Sequence, residues 1–244
     1  MKTLRVGMLT LAASLVACGG TVPDESVTET GELLADAKVC PGTTKVYGID
    51  VSEFQGTINW GAVKAAGKDF AVIRVSDGTG HLDPKFAANW HAAKTAGVAV
   101  GAYQFFEPSQ DPTAQADLLI SHLTSVGYGA GDLPPVIDVE VTGGVSAATV
   151  ISRVNTWIAR VKARTGRLPS LYTSPGFWSG IGNPTPTLLP YIWVAHWGVA
   201  CPTLPPAWGR LRLWQYSDVG SVSGISGHVD LDQYNGSLAE LRGL

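Results

Sequence analysis

The chain has 244 residues, of which 45% are hydrophobic and only 15% are charged, so it can bury one sizeable core and is not a disordered protein. Its formal charge is −3, or about −5 without Lys2 and Arg5, and it contains no cluster of basic residues. Nucleic acid is therefore disfavoured as a partner, because its binding depends on cations that neutralise phosphates. The glycines form no GxGxxG or Walker pattern, so no phosphate-binding loop is predicted.

The first 18 residues have the pattern of an export signal. Lys2 and Arg5 precede an apolar stretch that is too short to span a bilayer as a stable helix. The end of this segment, Leu-Val-Ala-Cys18, resembles the lipobox of bacterial lipoproteins, in which the cysteine is lipidated and becomes the new amino terminus. The alternative is an incidental thiol near an ordinary cleavage site. We therefore expect an exported protein that is either extracellular or anchored to a bacterial membrane through Cys18, and Gly19 favours an outer membrane where one exists.

Residues 19–39 are polar and acidic without a clear period, which favours a flexible tether before a domain at residues 40–244. If lipid occupies Cys18, Cys40 and Cys201 are the two remaining cysteines. In an oxidising compartment we expect them to form a disulfide, with two separate buried thiols as the alternative. No metal site is expected, because no histidine or further cysteine stands at ligand spacing around either residue. No cofactor is predicted.

Apolar runs between turn signals predict eight strands, near residues 46–51, 70–75, 98–104, 135–140, 170–173, 190–195, 211–216 and 228–232. Helices are predicted at 60–66, from Asp83 as cap to Ala96, from Asp111-Pro112 onward, and from the cap Ser146 to about Thr165. Alternation of strands and helices implies parallel strands with right-handed crossovers. Helical patterns end near residue 185, so the prediction is an incomplete α/β barrel that binds ligands at the carboxyl ends of its strands.

Asp138 and Glu140 end one of these predicted strands, behind Pro134-Pro135. Side chains alternate along a strand, so the two carboxylates share a face, with Cα atoms roughly 6 to 7 Å apart. Two acids at such a separation can flank a glycosidic bond, although the distance lies between the retaining and inverting ranges. Alternatively, these acids cap the next helix or face solvent. The apolar run that ends abruptly at the carboxylates favours chemistry at the end of a buried strand.

The ends of three other predicted strands also carry polar groups: Asp50 in YGIDVSEFQG, Tyr103 and Gln104 in GAYQFF, and Asp230 in HVDLDQYNG. Asp50 alone could cap a turn, and Asp230 alone could be a surface carboxylate. Together with Asp138 and Glu140 they would form a ring of four acids at one mouth of a barrel. Each acid would then raise the proton affinity of its neighbours, which a purely structural role does not require.

The segments around these acids resemble the glycoside hydrolase family 25 lysozymes, which are N-acetylmuramidases acting on bacterial peptidoglycan. The resemblance covers about residues 46–240 and includes GIDVSEFQGTINW, DFAVIRVSDGTGHLDPKFAANWHAAKTAGVAVGAYQFF, Gln115-Ala116-Asp117, LPPVIDVE, LYTSPGFW, YIWVAHW, LWQYS and VDLDQYNG. It implies a single flattened TIM-like barrel of five β/α units plus three strands. It also implies hydrolysis of the β-1,4 bond between N-acetylmuramic acid and N-acetylglucosamine. A monomer is expected.

The resemblance assigns roles to the acids. Glu140 matches the general acid that protonates the glycosidic oxygen. Asp138 matches its partner, which orients the 2-acetamido group of the substrate or stabilises positive charge at the reacting carbon. Asp50 and Asp230 match two further active-site aspartates, and Asp232, at a position where the family often has asparagine, ranks below Asp230. A donor must stay protonated near neutral pH, and neighbouring carboxylates raise its pKa toward that range.

A sugar chain also needs flat apolar surfaces and hydrogen-bond partners. Candidates at strand ends are Tyr103, Gln104, Tyr172, Trp193, His196, Trp214 and Gln215, although most of the eight tryptophans must be core. The chain departs from the family pattern at Asn59, where aspartate is usual. It departs again at Gln104, where histidine is frequent and where we expect an altered subsite preference.

Two other functions compete with the lysozyme hypothesis. A chitinase-like hydrolase would use Asp-x-Asp-x-Glu, but position 136 is Val. A non-catalytic lipoprotein that binds peptidoglycan would have kept the cleft and lost activity. The presence of all four acids argues against this second alternative.

Overall fold

The computed structural model describes residues 37–244, so the predicted signal segment with Cys18 and most of the predicted tether lie outside the described residues. The strands are β1 (Ala37–Lys38), β2 (Val46–Val51), β3 (Phe70–Asp77), β4 (His81–Leu82), β5 (Ala99–Phe105), β6 (Val136–Asp138), β7 (Ser170–Thr173), β8 (Tyr191–Ala195), β9 (Thr203–Leu204), β10 (Leu213–Gly220) and β11 (Val229–Tyr234). The helices are α1 (Trp60–Ala65), α2 (Phe86–Thr95), α3 (Pro112–Ser125), α4 (Ala147–Thr165), α5 (Pro175–Gly180) and α6 (Leu238–Arg242), with a 3₁₀ turn at Glu53–Gln55. Within residues 37–244, no helix is long and apolar enough to cross a membrane.

Eight strands form a closed barrel in the order β2-β11-β10-β8-β7-β6-β5-β3, and the pairing of β3 with β2 completes the ring. These are the eight strands predicted from the sequence. Neighbouring strands are parallel except at β11, which runs antiparallel to both β10 and β2. The short strand β4 adds to β3 outside the ring. The α/β barrel prediction is confirmed.

A helix follows each of β2, β3, β5, β6 and β7, while β8, β10 and β11 succeed one another without an intervening helix. The five β/α units plus three strands are therefore present as expected. The long connection from β8 to β10 contains Pro202, Pro205 and Pro206. Proline lacks the N–H that a helix interior needs, so this segment descends along the barrel as an extended loop.

Two of the predicted helix starts have the expected caps. The Asp111 carboxylate accepts hydrogen bonds from the backbone N–H of Thr113 and Ala114, at 2.7 and 2.8 Å. Ser146 caps α4, which ends at Gly166 in the left-handed conformation with φ 72°. These side chains satisfy backbone N–H groups that have no partner inside the helix.

The predicted cap at Asp83 is wrong, because α2 begins three residues later. The Oδ1 atom of Asp83 accepts from the backbone N–H of Lys85 at 2.9 Å, and its Oδ2 atom accepts from Arg74 Nε at 3.1 Å and from the backbone N–H of Glu53 at 2.8 Å. Asp83 thus attaches the turn after β2 to the side chain of Arg74 on β3. Asp83 therefore keeps a local hydrogen bond before α2 and adds a long-range ion pair that the sequence did not indicate.

Alternation along the strands divides the core into two layers. Outward residues pack under the helices with the large side chains Trp90, Trp157 and Trp178. Inward residues such as Phe70, Val136, Leu213 and Tyr234 fill the barrel. At the amino-terminal end of the barrel a Cβ on Gly48 would lie 2.4 Å from the Phe70 ring, so the phenyl group occupies the space of the missing side chain. The barrel floor is therefore packed, and the cavity that contains Asp50 and Asp138 opens at the carboxyl ends of the parallel strands.

The start of the described chain is attached to the β8–β10 connection. Cys40 and Cys201 form the expected disulfide, with Cα atoms 4.5 Å apart. Strand β1 pairs antiparallel with β9, so residues 37 and 38, which we expected to belong to the tether, are part of the folded domain. The disulfide spans a sequence separation of 161 residues. A cross-link over such a distance restricts the unfolded chain strongly.

We expect the double variant Cys40→Ser/Cys201→Ser to unfold with a free energy about 2 to 5 kcal/mol lower than the wild type, because the unfolded chain loses its long-range constraint. Urea unfolding followed by circular dichroism measures this difference. A reducing agent should weaken the wild type to the same extent and leave the double variant unchanged. Equal stability of the oxidised wild type and the double variant would contradict the structural role of this bond.

Candidate active site

Strand alternation brings the four predicted acids to one mouth of the barrel. Asp50 lies near the end of β2, directly opposite Asp230 on the antiparallel β11. Asp138 ends β6, and Glu140 follows two residues later on the same side of the chain. All four line one open cavity of about 300 Å³. The sequence placed these acids at strand ends, and ring closure brings them together.

A second open cavity, of about 390 Å³, adjoins the first. Glu140, Tyr172 and Trp197 line both. Asp50 and Asp138 are buried, each 6% exposed, whereas the side chain of Glu140 is accessible. Glu140 therefore stands at the junction of two adjoining spaces, with the buried acids on one side of it.

The orientation of Asp50 is determined by Gln215 of β10. The oxygen of the Gln215 amide accepts hydrogen bonds from the Tyr172 hydroxyl and the Trp197 indole, both at 2.9 Å. Two donors on the oxygen mean that the nitrogen points the other way, and Gln215 Nε2 donates to Asp50 Oδ2 at 2.7 Å. Gln215 thus holds one carboxyl oxygen of Asp50 in place.

The pKa is raised at five carboxyl groups of this region: Asp50, Asp138, Glu140, Asp230 and Asp232. Burial is the largest cause for Asp50, and the charge of Asp232 adds to it. Burial and then the charge of Glu140 raise the pKa of Asp138, while partial desolvation raises the pKa of Glu140 itself. Burial also raises the pKa of Asp230 and Asp232, each to about 8. Asp230 and Asp232 therefore retain protons at neutral pH, and burial favours the protonated form of the other three carboxyl groups.

Asp232 differs from the other acids because it does not line either cavity. It is fully buried, and its Oδ1 accepts a hydrogen bond from the Trp193 indole at 2.9 Å. Its Oδ2 has no hydrogen-bond partner among residues 37–244, and its charge raises the pKa of the neighbouring Asp50, which in turn lies opposite Asp230. Buried carboxyl groups so near one another favour the retention of protons. Asp232 is thus an internal support for Trp193 and Asp50, in keeping with its rank below Asp230.

Five of the seven predicted binding residues reach the cavities. His196 lines the second cavity. The other four residues line the first cavity: Tyr103, Tyr172, Trp193 and Gln215. His196 Nδ1 also accepts a hydrogen bond from the backbone N–H of Thr203 at 3.0 Å. The loop after β8 is thereby held against β9.

Gln104 and Trp214 lie outside the cleft. Gln104 is fully buried on the helix side of the barrel, where its amide bonds to Ser76 at 2.9 Å and to the Trp157 indole at 2.7 Å. Trp214 packs in the same outer layer and donates to the carbonyl of His196 at 2.8 Å. Each has a neighbour, Tyr103 or Gln215, that faces the lumen. Adjacent strand residues point to opposite faces, so only one of each pair can reach the substrate space.

The departure at Asn59 also lies away from the acids. Asn59 is the cap of α1, and its side-chain oxygen accepts from the backbone N–H of Ala62 at 3.1 Å. Asparagine and aspartate cap helices about equally well. This difference from the family pattern is therefore conservative for the fold.

Eight further residues line the first cavity, and they include aromatic and charged side chains that the sequence did not point to, among them Phe54, Arg74, Trp197 and Asp218. Phe54 and Trp197 follow the carboxyl ends of β2 and β8, and their side chains are 79% and 48% exposed. Large aromatic residues directly after a barrel strand were the available signal. Arg74 carried no such signal, since its position inside the barrel depends on alternation along β3.

The arrangement suits acid-assisted cleavage of a polymer. An accessible protonated acid stands between two adjoining spaces, and buried carboxyl groups that can stabilise positive charge line one of them. The open cleft admits a chain that extends beyond both ends, and aromatic walls can pack against sugar rings.

Comparison with known proteins supports this chemistry. A family model described as glycosyl hydrolases family 25 matches residues 49–225. Lysozyme M1 of Streptomyces globisporus is 42% identical over 212 residues, which cover 83% of this chain and 72% of that protein. An N,O-diacetylmuramidase of a Chalaropsis species is 32% identical over 215 residues, which cover 82% of this chain and 98% of that protein.

Solved structures agree with the sequence relatives. The bacterial lysozyme from Streptomyces coelicolor superposes with a TM-score of 0.75 and 40% identity, covering 83% of this chain and 98% of the other. The muramidase from Trichobolus zukalii has a TM-score of 0.71 and 29% identity, covering 82% and 98%. With its barrel, its acids at the strand ends and these matches, the chain belongs to glycosyl hydrolases family 25.

Proposed function

We propose that this protein is a lysozyme that hydrolyses the β-1,4 bond between N-acetylmuramic acid and N-acetylglucosamine in bacterial peptidoglycan. The single observation that carries the proposal is the convergence of Asp50, Asp138, Glu140 and Asp230 on one open cleft. The relatives named lysozyme and N,O-diacetylmuramidase support the substrate. The accessible position of Glu140 supports catalysis over binding alone, because a proton donor must reach the scissile bond.

Glu140 is the general acid in this proposal. It stands where the two cavities meet, so the glycosidic oxygen of a bound strand would lie beside it. Its raised pKa keeps a proton available near neutral pH. That proton passes to the glycosidic oxygen as the bond to the anomeric carbon breaks, and the departing sugar occupies the second cavity. Water then attacks the anomeric carbon and releases a proton, which restores the starting protonation state of the carboxyl cluster.

Asp138 is the partner of Glu140. It is buried at the floor of the first cavity, and no described group of residues 37–244 is within hydrogen-bond distance of its Oδ1. Asp138 lines the first cavity, and the 2-acetamido N–H of the bound sugar would be a suitable donor for the carboxyl oxygen that faces this cavity. Asp138 would thereby orient the acetamido group and stabilise the positive charge that develops at the anomeric carbon.

Asp50 and Asp230 complete the wall on the same side. They face each other across the β2–β11 pair, and Asp50 is held by Gln215. Their contact and their raised pKa values favour a shared proton. The pair can therefore donate a hydrogen bond to one sugar hydroxyl and accept one from another. Because the two carboxyl groups share a proton, they carry less negative charge beside Asp138 than two ionised carboxylates would.

Replacement of the acid by its amide should abolish the chemistry and leave the cleft intact. We expect Glu140→Gln to clear purified cell walls about 10² to 10⁴ times more slowly than the wild type, since the amide cannot donate a proton to the leaving oxygen. Mass analysis of the released muropeptides checks both the rate and the bond that is cleaved.

The matched control is Glu240→Gln in α6, where glutamine can keep the capping interaction with Ser237. This variant should clear walls at the wild-type rate. Undiminished clearing by Glu140→Gln, with the fold verified by circular dichroism, would refute the assignment of the acid.

Asp232 makes stability depend on pH. Its folded pKa of about 8 lies above the ordinary value of 3.8, so the folded state retains a proton that the unfolded state has lost between these values. The contribution to stability is complete below about pH 4 and disappears as the pH rises through about 8. Its slope is at most about 1.4 kcal/mol per pH unit.

We therefore expect Asp232→Asn to lose less stability than the wild type between pH 5 and pH 9, because asparagine can accept from Trp193 and does not ionise. Urea unfolding at the two pH values measures the difference. Asp218→Asn, at an exposed aspartate on the cleft rim, serves as control and should keep the wild-type slope. Parallel pH profiles for wild type and Asp232→Asn would show that this carboxyl group does not control the effect.

We further propose that residues 1–18 are a lipoprotein signal, that Cys18 carries the lipid, and that a tether after it joins a monomeric catalytic domain. The basic start, short apolar run and Leu-Val-Ala-Cys18 sequence support this proposal. A protein that acts on peptidoglycan must also be exported.

For this proposal, expression in a bacterial host with labelled palmitate should label the wild type and place it in the membrane fraction. Cys18→Ser should lose both the label and the membrane association and retain wall-clearing activity. Labelling that persists in Cys18→Ser, or a wild type that is neither labelled nor membrane-associated, would contradict the anchor.

A further inference from the structure

We propose that Phe54 is a stacking platform for one sugar ring of the substrate, the N-acetylglucosamine that precedes the cleaved N-acetylmuramic acid. The proposal rests on the lysozyme function proposed above and adds a binding site on the side of the cleft away from the departing sugar. Phe54 is 79% exposed and lines the cavity that contains Asp50 and Asp138.

The backbone beneath Phe54 is fixed. Ser52 and Gln55 form a capping box around the 3₁₀ turn, with the Ser52 N–H donating to Gln55 Oε1 at 2.8 Å. The Glu53 N–H donates to Asp83 Oδ2 at 2.8 Å. The turn is thus attached both to itself and to the segment before α2. An exposed phenyl ring on such a turn loses little freedom when a ligand binds, which favours affinity.

The ring itself is supported by a cation. The Arg74 guanidinium carbon lies 5.0 Å from the centroid of the Phe54 ring. Arg74 is held by Glu53 at 2.8 Å and by Asp83 at 3.1 Å, and its side chain is only 10% exposed. A guanidinium group against an aromatic ring is a favourable contact. One face of the phenyl group is therefore covered, and the other is open.

The position of Phe54 in the barrel indicates which sugar it would contact. In the ring of eight strands, β2 and β7 lie opposite each other. The second cavity, which would receive the departing sugar, is lined by residues that follow β7 and β8. Phe54 follows β2 on the opposite rim, with Glu140 and the buried acids between. A strand that crosses the cleft would therefore meet Phe54 on the far side of the cleaved residue.

The chemistry of the substrate suits this position. In alternating peptidoglycan the residue before N-acetylmuramic acid is N-acetylglucosamine, which carries no lactyl ether or peptide on its ring. Its axial C–H groups form an apolar face that can lie against a phenyl ring. A single contact of this kind is worth about 0.5 to 1.5 kcal/mol, which corresponds to roughly a tenfold change in binding at its upper end.

Two defined substrates test the proposal. The tetrasaccharide GlcNAc-MurNAc-GlcNAc-MurNAc places its first sugar on Phe54, whereas the trisaccharide MurNAc-GlcNAc-MurNAc lacks that sugar. For Phe54→Ala we expect kcat/KM on the tetrasaccharide to fall about tenfold, chiefly through KM, and kcat/KM on the trisaccharide to remain unchanged. Phe54→Trp should restore the rate on the tetrasaccharide.

The control is Tyr47→Ala, which removes a partly exposed aromatic ring from the outer face of β2, the strand before the turn that carries Phe54. This variant should leave kcat/KM unchanged on both substrates. An equal loss on both substrates for Phe54→Ala would indicate a structural effect and overturn the platform. So would an unchanged rate on the tetrasaccharide. A wild type that cleaves neither oligosaccharide overturns the lysozyme function itself, together with the platform, and is thereby distinguished from a failure of Phe54 alone.

Discussion

Closure of an eight-stranded ring, with side chains alternating at every residue, is the constraint on which this structure depends. Every second strand residue must face the lumen, and the lumen is too narrow to leave these side chains apart. At the amino-terminal end the inward residues are apolar and pack to a solid floor, with Gly48 making room for Phe70. At the carboxyl end the inward residues are acids, amides and aromatics. The same geometry therefore produces a rigid core and a concentrated polar site within one short barrel.

The polar end of the barrel is stable because its groups satisfy one another. Burial opposes ionisation, and the raised pKa values of the carboxyl groups are the response to it. Protonated carboxyl groups can donate as well as accept, so Asp50 can lie beside both Asp230 and Asp232. Gln215, with its oxygen held by Tyr172 and Trp197, sets the orientation of this cluster. The protons that stabilise the buried acids are also the protons that glycoside hydrolysis requires.

The rim of the cleft is attached to the barrel by different means on its two sides. Near β2, the ion pairs of Arg74 with Glu53 and Asp83 fix the turn that carries Phe54. Near β8, where no helix returns the chain to the next strand, the Cys40–Cys201 disulfide and the β1–β9 pair hold the descending loop. Trp197 lies at the beginning of that loop. Both aromatic walls of the cleft therefore stand on segments that lack the support of a long helix and are fixed by local cross-links.

The sequence by itself determined the eight strands, the caps at Asp111 and Ser146, and the family, because these follow from local periodicity, local hydrogen bonding and contiguous motifs. It also identified the four acids, since Asp50, Asp138 and Glu140 stand at the carboxyl ends of apolar runs and Asp230 belongs to the motif VDLDQYNG. Only the tertiary structure decided which member of a neighbouring pair faces the lumen, so Gln104 and Trp214 lie outside the cleft. It also decided that Asp83 pairs with Arg74 and that Phe54 and Trp197 line the cavity. Strand register and ion pairs between distant residues depend on the closed ring, which no local window of sequence contains.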